Sequence, residues 1–196
     1  MYSIRFAKES DAEEILGIYS FYIENTAVSF ETVVPTVEEF RRRISKTAVF
    51  YPYIVIELDG KIIAYAYAAR HKERDAYRYN VETSVYIGHK FHGKKIGTAL
   101  YTAIFEIVRT QGIYNAYANI TLPNDKSTKF HIAMGFTIIG IMHNTGYKFD
   151  EWHDVVCMEK TLIRHTNTPG EIRPIVAMDN NFKYDVLKRA LEMIEE

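Results

Sequence analysis

Two hydrophobic rhythms run along the chain, and the points where one replaces the other mark its elements. Tyr2 to Ala7 alternates with period two, as a strand does. Ser10 and Glu13 then stand at capping-box spacing before a helix that carries Ile15, Ile18, Tyr19, Tyr22 and Ile23 on one side. Thr36 and Glu39 repeat that spacing ahead of "FRRRI", which predicts a second, short helix whose three arginines form a solvated face. "YPYIVIEL" (51–58) and "KIIAYAYAA" (61–69) flank Asp59-Gly60, the dipeptide of tight two-residue hairpins, so two antiparallel strands are expected there. In "YNVETSVYI" (79–87), Val81, Thr83, Val85 and Ile87 fall on one face of a strand, with Glu82, Ser84 and Tyr86 on the other. A helix follows: Ile96, Leu100, Ile104 and Val108 recur every fourth residue, with Ala99, Ala103 and Ile107 beside them, until Gly112 stops it. "YNAYANITL" (114–122) reads as a strand and residues 127–134 as a short helix ending at Gly135. "FTIIGIMH" (136–143) and "HDVVCMEKTL" (153–162) read as two closing strands. Hairpins combined with one strand–loop–helix–strand crossover predict an α/β fold, a mixed central sheet with helices on both faces.

Past Leu162 the pattern changes. "RHTNTPGEIRP" reads as a linker, and "FKYDVLKRALEMIEE" as a terminal helix with Phe182, Val186, Leu187, Leu191 and Ile194 on one side. The expected division is a main domain over 1–162 and an extension over 163–196. The helix either packs on its own domain or contributes to a dimer interface. The chain has 196 residues, 47% of them hydrophobic, enough for one domain with a full core. Lys and Arg number 24 against 25 Asp and Glu, for a net charge of -1. Without a global basic field no nucleic-acid partner is expected, and any phosphate must be caught locally. Cys157, the single cysteine, excludes an internal disulfide and a multi-cysteine zinc site; it reads as a small buried residue, and no metal is expected. The first residues lack a signal-peptide pattern and no stretch has the length of a membrane span, so the expectation is a cytoplasmic protein without a membrane partner.

"FHGKKIGTAL" (91–100) sets two lysines between two glycines at the mouth of a helix, a place suited to phosphate. Gly88 through Lys95 comes one residue short of the nucleotide P-loop, because Lys95 stands where that motif needs a hydroxyl to ligate magnesium. A dinucleotide fingerprint would need a G-x-G, which is absent. Taken alone, the segment fits a phosphate loop or a plain glycine-rich turn with solvated lysines.

In its order of motifs, over roughly residues 2 to 162, the chain resembles the GNAT family of N-acetyltransferases and, within it, the phosphinothricin acetyltransferase-like branch. A strand leads into His92-Gly93-Lys94-Lys95-Ile96-Gly97 and Thr98, at the place of the family's [QR]-x-x-G-x-[GA] loop. "LPNDKSTKFHIAMGF" (122–136) carries Asn124, Ser127, His131 and Gly135-Phe136 at the offsets of the second family motif. "NTAVSFET" (25–32), "HKERDAYRYNVETSVYI" (71–87) and "GYKFDEWHDVV" (146–156) look like segments of the branch. His92 replaces the usual Arg or Gln, and Lys95 the usual central glycine, so its backbone must suit a residue with a Cβ.

The resemblance implies a mostly antiparallel GNAT-like sheet and acetyl-CoA as cosubstrate. Its pyrophosphate would lie on the backbone N–H groups of residues 92–98 and its pantetheine arm along Val85, Tyr86, Ile87, Asn124 and Ser127. It places the general base at Glu82, a carboxylate in a run of valines where a strand interior poorly accommodates one. His131 would stand near the thioester sulfur as the acid. Phe30, Lys72, Arg74 and Tyr77 would face a small amine of amino-acid type: phosphinothricin, methionine sulfoximine or methionine sulfone. Acetyl transfer would be direct, without a covalent enzyme intermediate, and a homodimer is expected. Two readings stand beside it: an acetyl-CoA-binding module without catalysis, and an acetyltransferase acting on a polyamine, an aminoglycoside or a peptide N-terminus.

Overall fold

The computed structural model describes residues 1–166 and 168–195; Asn167 and Glu196, in the expected linker and terminal helix, lie outside the described residues. Seven strands form one sheet: β1 (Tyr2–Phe6), β2 (Tyr53–Leu58), β3 (Lys61–Arg70), β4 (Asn80–Ile87), β5 (Asn115–Thr121), β6 (Thr137–Lys148) and β7 (Glu151–Thr161). Their order is β1-β2-β3-β4-β5-β7-β6, and every neighbouring pair is antiparallel except β4 with β5. The mixed, mostly antiparallel α/β fold is therefore present. Asp59 and Gly60 join β2 to β3 with φ of 51° and 80°, as the two-residue turn requires.

Period-two alternation distributes the strand residues between two cores. Val55, Ile62 and Tyr65 pack beneath α1 (Ala12–Asn25) and α2 (Val37–Ala48), with Ile15, Ile23, Phe40 and Ile44. On the other face Ile54, Ile56, Ala64, Ala66 and Val81 meet α3 (Ile96–Gln111) through Ile96, Leu100, Ile104, Ile107 and Val108, all buried. Each such buried side chain contributes about 2 kcal/mol, whereas a helix cap contributes about 1 kcal/mol. The apolar stripe of α3 therefore decides where that helix lies and leaves its N-terminus free for another use. α4 (Asp125–Ala133) follows β5, and the extension ends in α5 (Asn180–Leu191). Val186, Leu187 and Ala190 of α5 join the α3 core, and Arg189 pairs with Glu106 of α3 at 2.5 Å. Among the described residues no helix is long and apolar enough to cross a membrane.

Three local expectations need correction. The entry to α1 is held by the Asp11 carboxylate, not by a box of Ser10 and Glu13. The Lys8 N–H donates to Asp11 at 2.7 Å, and Arg5 holds the same carboxylate at 2.6 and 3.0 Å. Helix α4 begins at Asp125, two residues early, because the Asn124 side chain accepts the Ser127 N–H at 3.2 Å and caps it. Finally, β6 and β7 run on to a tight turn in which Phe149 and Asp150 take φ of 54° and 61°. They make the backbone shape of a two-residue hairpin without its glycine.

Candidate active site

Strands β4 and β5 are paired only where Asn80 to Glu82 lie beside Asn115 to Tyr117. Past Glu82 the pairing ends, and a cleft opens between the strands toward the N-terminus of α3. A cavity of about 450 Å³ fills its mouth, lined on one side by Val85 and Ile87, on another by His92, Gly93, Lys95, Ile96, Gly97 and Thr98, and on a third by Asn124 and Ser127. A smaller space of about 70 Å³ adjoins it, sharing Val85, Asn124 and Ser127 and adding Tyr86, Tyr101 and His131. Of the residues expected around the cosubstrate, the structure thus gathers all but Lys94. The Lys94 carbonyl accepts the Glu195 N–H at 3.3 Å instead. A larger cavity, about 990 Å³, lies among α2, the loop after β3 and residues 169–172, and holds none of the expected site residues.

The phosphate loop has a strained entry to its helix. Gly93 takes φ of 91°, and Lys95, the N-cap of α3, takes φ of 58° with no side chain capping the helix. Left-handed backbone costs a residue with a Cβ about 1 kcal/mol, which explains why glycine is usual where Lys95 stands. The uncapped first turn leaves N–H donors and the positive end of the helix dipole facing the cavity. Lys95 also forms an ion pair with Glu195 from the end of the extension. At Gly97 an added Cβ would lie 3.3 Å from the Phe130 ring, so this small residue lets α4 close against α3.

Deeper in the cleft, His131 is 4% exposed. Its Nδ1 donates to the Ser127 carbonyl at 2.8 Å, and Nε2 lies 3.1 Å from the Tyr101 hydroxyl. Burial lowers its pKa, opposed by the bond to Ser127, and keeps the ring neutral. With Nδ1–H committed to Ser127, the proton offered to the cleft is the one between Nε2 and Tyr101. Burial raises the pKa of Tyr101, which also reaches the Thr83 carbonyl at 3.3 Å.

Glu82 projects from β4 opposite Ala69 of β3, its side chain 40% exposed, with His71 Nδ1 at 3.9 Å from its carboxylate. The loop between β3 and β4 carries Lys72 and Arg74, both exposed, and Lys72 Nζ sits 4.8 Å over the Tyr77 ring. Phe30, between α1 and α2, lies on the β6–β7 hairpin: its ring takes the space a Cβ on Gly146 would need, and it is 6.2 Å from His153. Lys148, 5% exposed, fastens that loop by donating to the Ser29 carbonyl at 2.7 Å.

The Acetyltransferase (GNAT) domain family matches this chain over residues 4–157. The chain belongs to the GNAT acetyltransferase family. It is an acetyl-CoA-dependent acetyltransferase. It is 36% identical over 172 residues to a phosphinothricin N-acetyltransferase of Streptomyces viridochromogenes, covering 88% of this chain and 92% of that one. An L-methionine sulfoximine/L-methionine sulfone acetyltransferase of Salmonella typhimurium is 30% identical, with 83% and 96% covered. In structure it is similar to a phosphinothricin acetyltransferase of Sinorhizobium meliloti solved with acetyl-CoA, at a TM-score of 0.83 and 33% identity over 88% of this chain and 96% of that one.

Within this GNAT site several lining residues carry no signal in the sequence. Tyr22 reads as one more apolar position of α1, yet it lines the 450 Å³ cavity and its hydroxyl donates to the Ile87 carbonyl at 2.5 Å, closing the end of β4. Phe130, Lys126 and Val28 join it. Tyr101 belongs to the apolar stripe of α3 and is distinguished only by the partners of its hydroxyl. The cradle suits acetyl-CoA: open N–H donors at residues 93–97, the lysines beside them, and a lined passage inward to Tyr101 and His131. Among the described residues no three His, Cys, Asp or Glu side chains lie together as a metal site would need.

Proposed function

We propose that this acetyltransferase acetylates the α-amine of a small amino acid bearing a second polar group, of the phosphinothricin, methionine sulfoximine or methionine sulfone type. The observation that carries the reading is the position of Glu82, half-open on β4 and directly reached from the loop that bears Lys72, Arg74 and Tyr77. Bound acetyl-CoA supplies an electrophilic acetyl carbon and a thiolate leaving group. An alkyl ammonium has a pKa of about 10, so Glu82 must take a proton before the amine can attack. The N–H groups of Val85 to Ile87 polarise the thioester carbonyl and the 93–97 loop holds the pyrophosphate. His131 holds the Tyr101 hydroxyl through Nε2, and that hydroxyl supplies the proton to the departing sulfur. Arg74 fixes the substrate's acid end through two parallel hydrogen bonds, Lys72 adds charge, and Phe30 forms an apolar wall.

Steady-state kinetics over amino-acid analogues, polyamines, aminoglycosides and N-terminal peptides test this. The amino-acid analogues are expected to lead, and polyamines to be poor because they bring more positive charge to Lys72 and Arg74. Arg74→Ala is expected to raise KM about tenfold while changing kcat less, since it removes binding common to ground and transition states. A preference for any other class would overturn the substrate assignment and leave the acetyltransferase intact.

We further infer a homodimer built on the β6–β7 hairpin. Ile139, Ile141, Tyr147, Phe149 and Trp152 there are 50, 47, 55, 56 and 62% exposed, a concentration of large apolar side chains in water on one hairpin. Sedimentation at micromolar concentration is expected to give a dimer, and Trp152→Glu to shift it toward monomer. A wild-type monomer would remove the inference.

A further inference from the structure

We propose that His71 is a positioning residue for acetyl transfer, its Nδ1–H holding the Glu82 carboxylate in place as the acceptor of the amine proton. This deepens the reading of Glu82 as the base and rests on it. His71 follows Arg70, the last residue of β3, which pairs with Val81 beside Glu82. Its ring lies flat on Tyr117 of β5, with centroids 4.2 Å apart and planes at 14°, and meets Tyr77 edge-on at 6.4 Å. The side chain is 15% exposed. Its Nδ1 is enclosed and has no hydrogen-bond partner among the described residues.

A buried ring nitrogen without a partner is costly, and the surroundings offer one way to satisfy it. Tyr117 presents its ring face. Lys72 is a cation and lies over Tyr77, itself edge-on to the histidine. That leaves Glu82, whose Oε2 is 3.9 Å from Nδ1. A lone pair on Nδ1 would face the negative carboxylate unfavourably, whereas an N–H there is attracted to it, so the proton belongs on Nδ1. The Glu82 side chain is open enough to swing the ~1 Å that brings the pair to ordinary hydrogen-bond length. Burial lowers the pKa of His71, opposed by the charge of Glu82, so the ring is a neutral donor. Tyr67 of β3 and Tyr101 of α3 also lie near Glu82, the Tyr101 hydroxyl within reach of His131 and Thr83. His71 differs from them in having an enclosed nitrogen that no other group satisfies.

The test compares His71→Phe, which keeps the stack on Tyr117 and removes both nitrogens, with His71→Asn, whose amide can place a donor where Nδ1 stood. Rates are measured across pH with methionine sulfone and acetyl-CoA. His71→Phe is expected to lower kcat about tenfold, because the carboxylate loses the donor that holds it in place. Acetyl-CoA affinity and Tm should stay near wild type, and His71→Asn should recover most of the rate. Nitrogen NMR of the wild-type protein gives a readout independent of turnover: the Nδ1–H tautomer, with an Nδ1 shift that moves in Glu82→Gln. An Nε2–H tautomer, or a wild-type rate in His71→Phe, would overturn the proposal. A collapse in Glu82→Gln beside an unchanged His71→Phe sinks the role of His71 alone. Full activity in Glu82→Gln sinks the base and this inference with it.

Discussion

Glu82→Gln is expected to lower kcat by about a hundredfold or more at neutral pH, with little change in the affinity for acetyl-CoA. The substitution keeps the size of the side chain on β4 and removes only its capacity to take a proton. The carboxylate lies outside the two spaces gathered around the phosphate loop and His131, so cosubstrate binding has no reason to follow the rate. Because the amine arrives protonated, the defect should shrink as pH rises toward ~10, where free amine exists without the enzyme's help. His131→Ala should do less damage, since a thiolate is already a tolerable leaving group. Rates of thiol release across pH decide the matter. An undiminished kcat at neutral pH would hand the base role to another group.

The second large effect belongs to the loop. Acetyl-CoA is expected to raise the Tm of the wild-type protein and Mg-ATP to leave it nearly unchanged, because a ligand that binds only the folded chain stabilises it by mass action. In Gly93→Val that rise should largely vanish, with the cosubstrate Kd weakened at least tenfold. Beyond its chain neighbours no atom lies within 4 Å of the Cβ that would be added, so the damage comes from φ of 91° and from blocking the approach of phosphate, not from a clash. The neighbouring Lys95→Gly should behave in the opposite sense. It relieves a left-handed residue and frees the loop from Glu195, so affinity is held or tightened. An unchanged Kd in Gly93→Val would move the pyrophosphate away from this turn.

How much of this could be read from the sequence depended on whether a residue's neighbours in the chain were also its neighbours in space. The turn at Asp59-Gly60 was legible because a residue type that tolerates positive φ stood where it was needed. The turn at Phe149-Asp150 has the same shape and was invisible, since a phenylalanine stands at its first position and no glycine follows. Asn124 capping Ser127 was missed because the helical pattern is weak and proline precedes the cap. Glu82 stood out as a charge among valines on a strand. His71 did not, because "HKERD" reads as a solvated loop and its burial comes from Tyr117 on a different strand. Tyr22 and Tyr101 sit at helical spacing within apolar stripes, where a hydroxyl bound for the site looks like one more core residue.

The bond from Lys148 to Ser29 joins positions 119 apart in the chain, and this sets an order in which the parts of the site come into being. Every residue lining the 450 Å³ cavity at the mouth of the cleft, from Tyr22 to Phe130, precedes β6. As the chain leaves the ribosome, the groups that hold acetyl-CoA are all present before Gly146 and Lys148 emerge. The Phe30 ring can meet Gly146 and His153 only then, and closing so long a span is favourable only once the intervening sheet has shortened it. Until that point the loop is held by earlier parts of the chain alone, Ser29 on Tyr19 and Glu31 on Arg43, and the hairpin adds the far wall late.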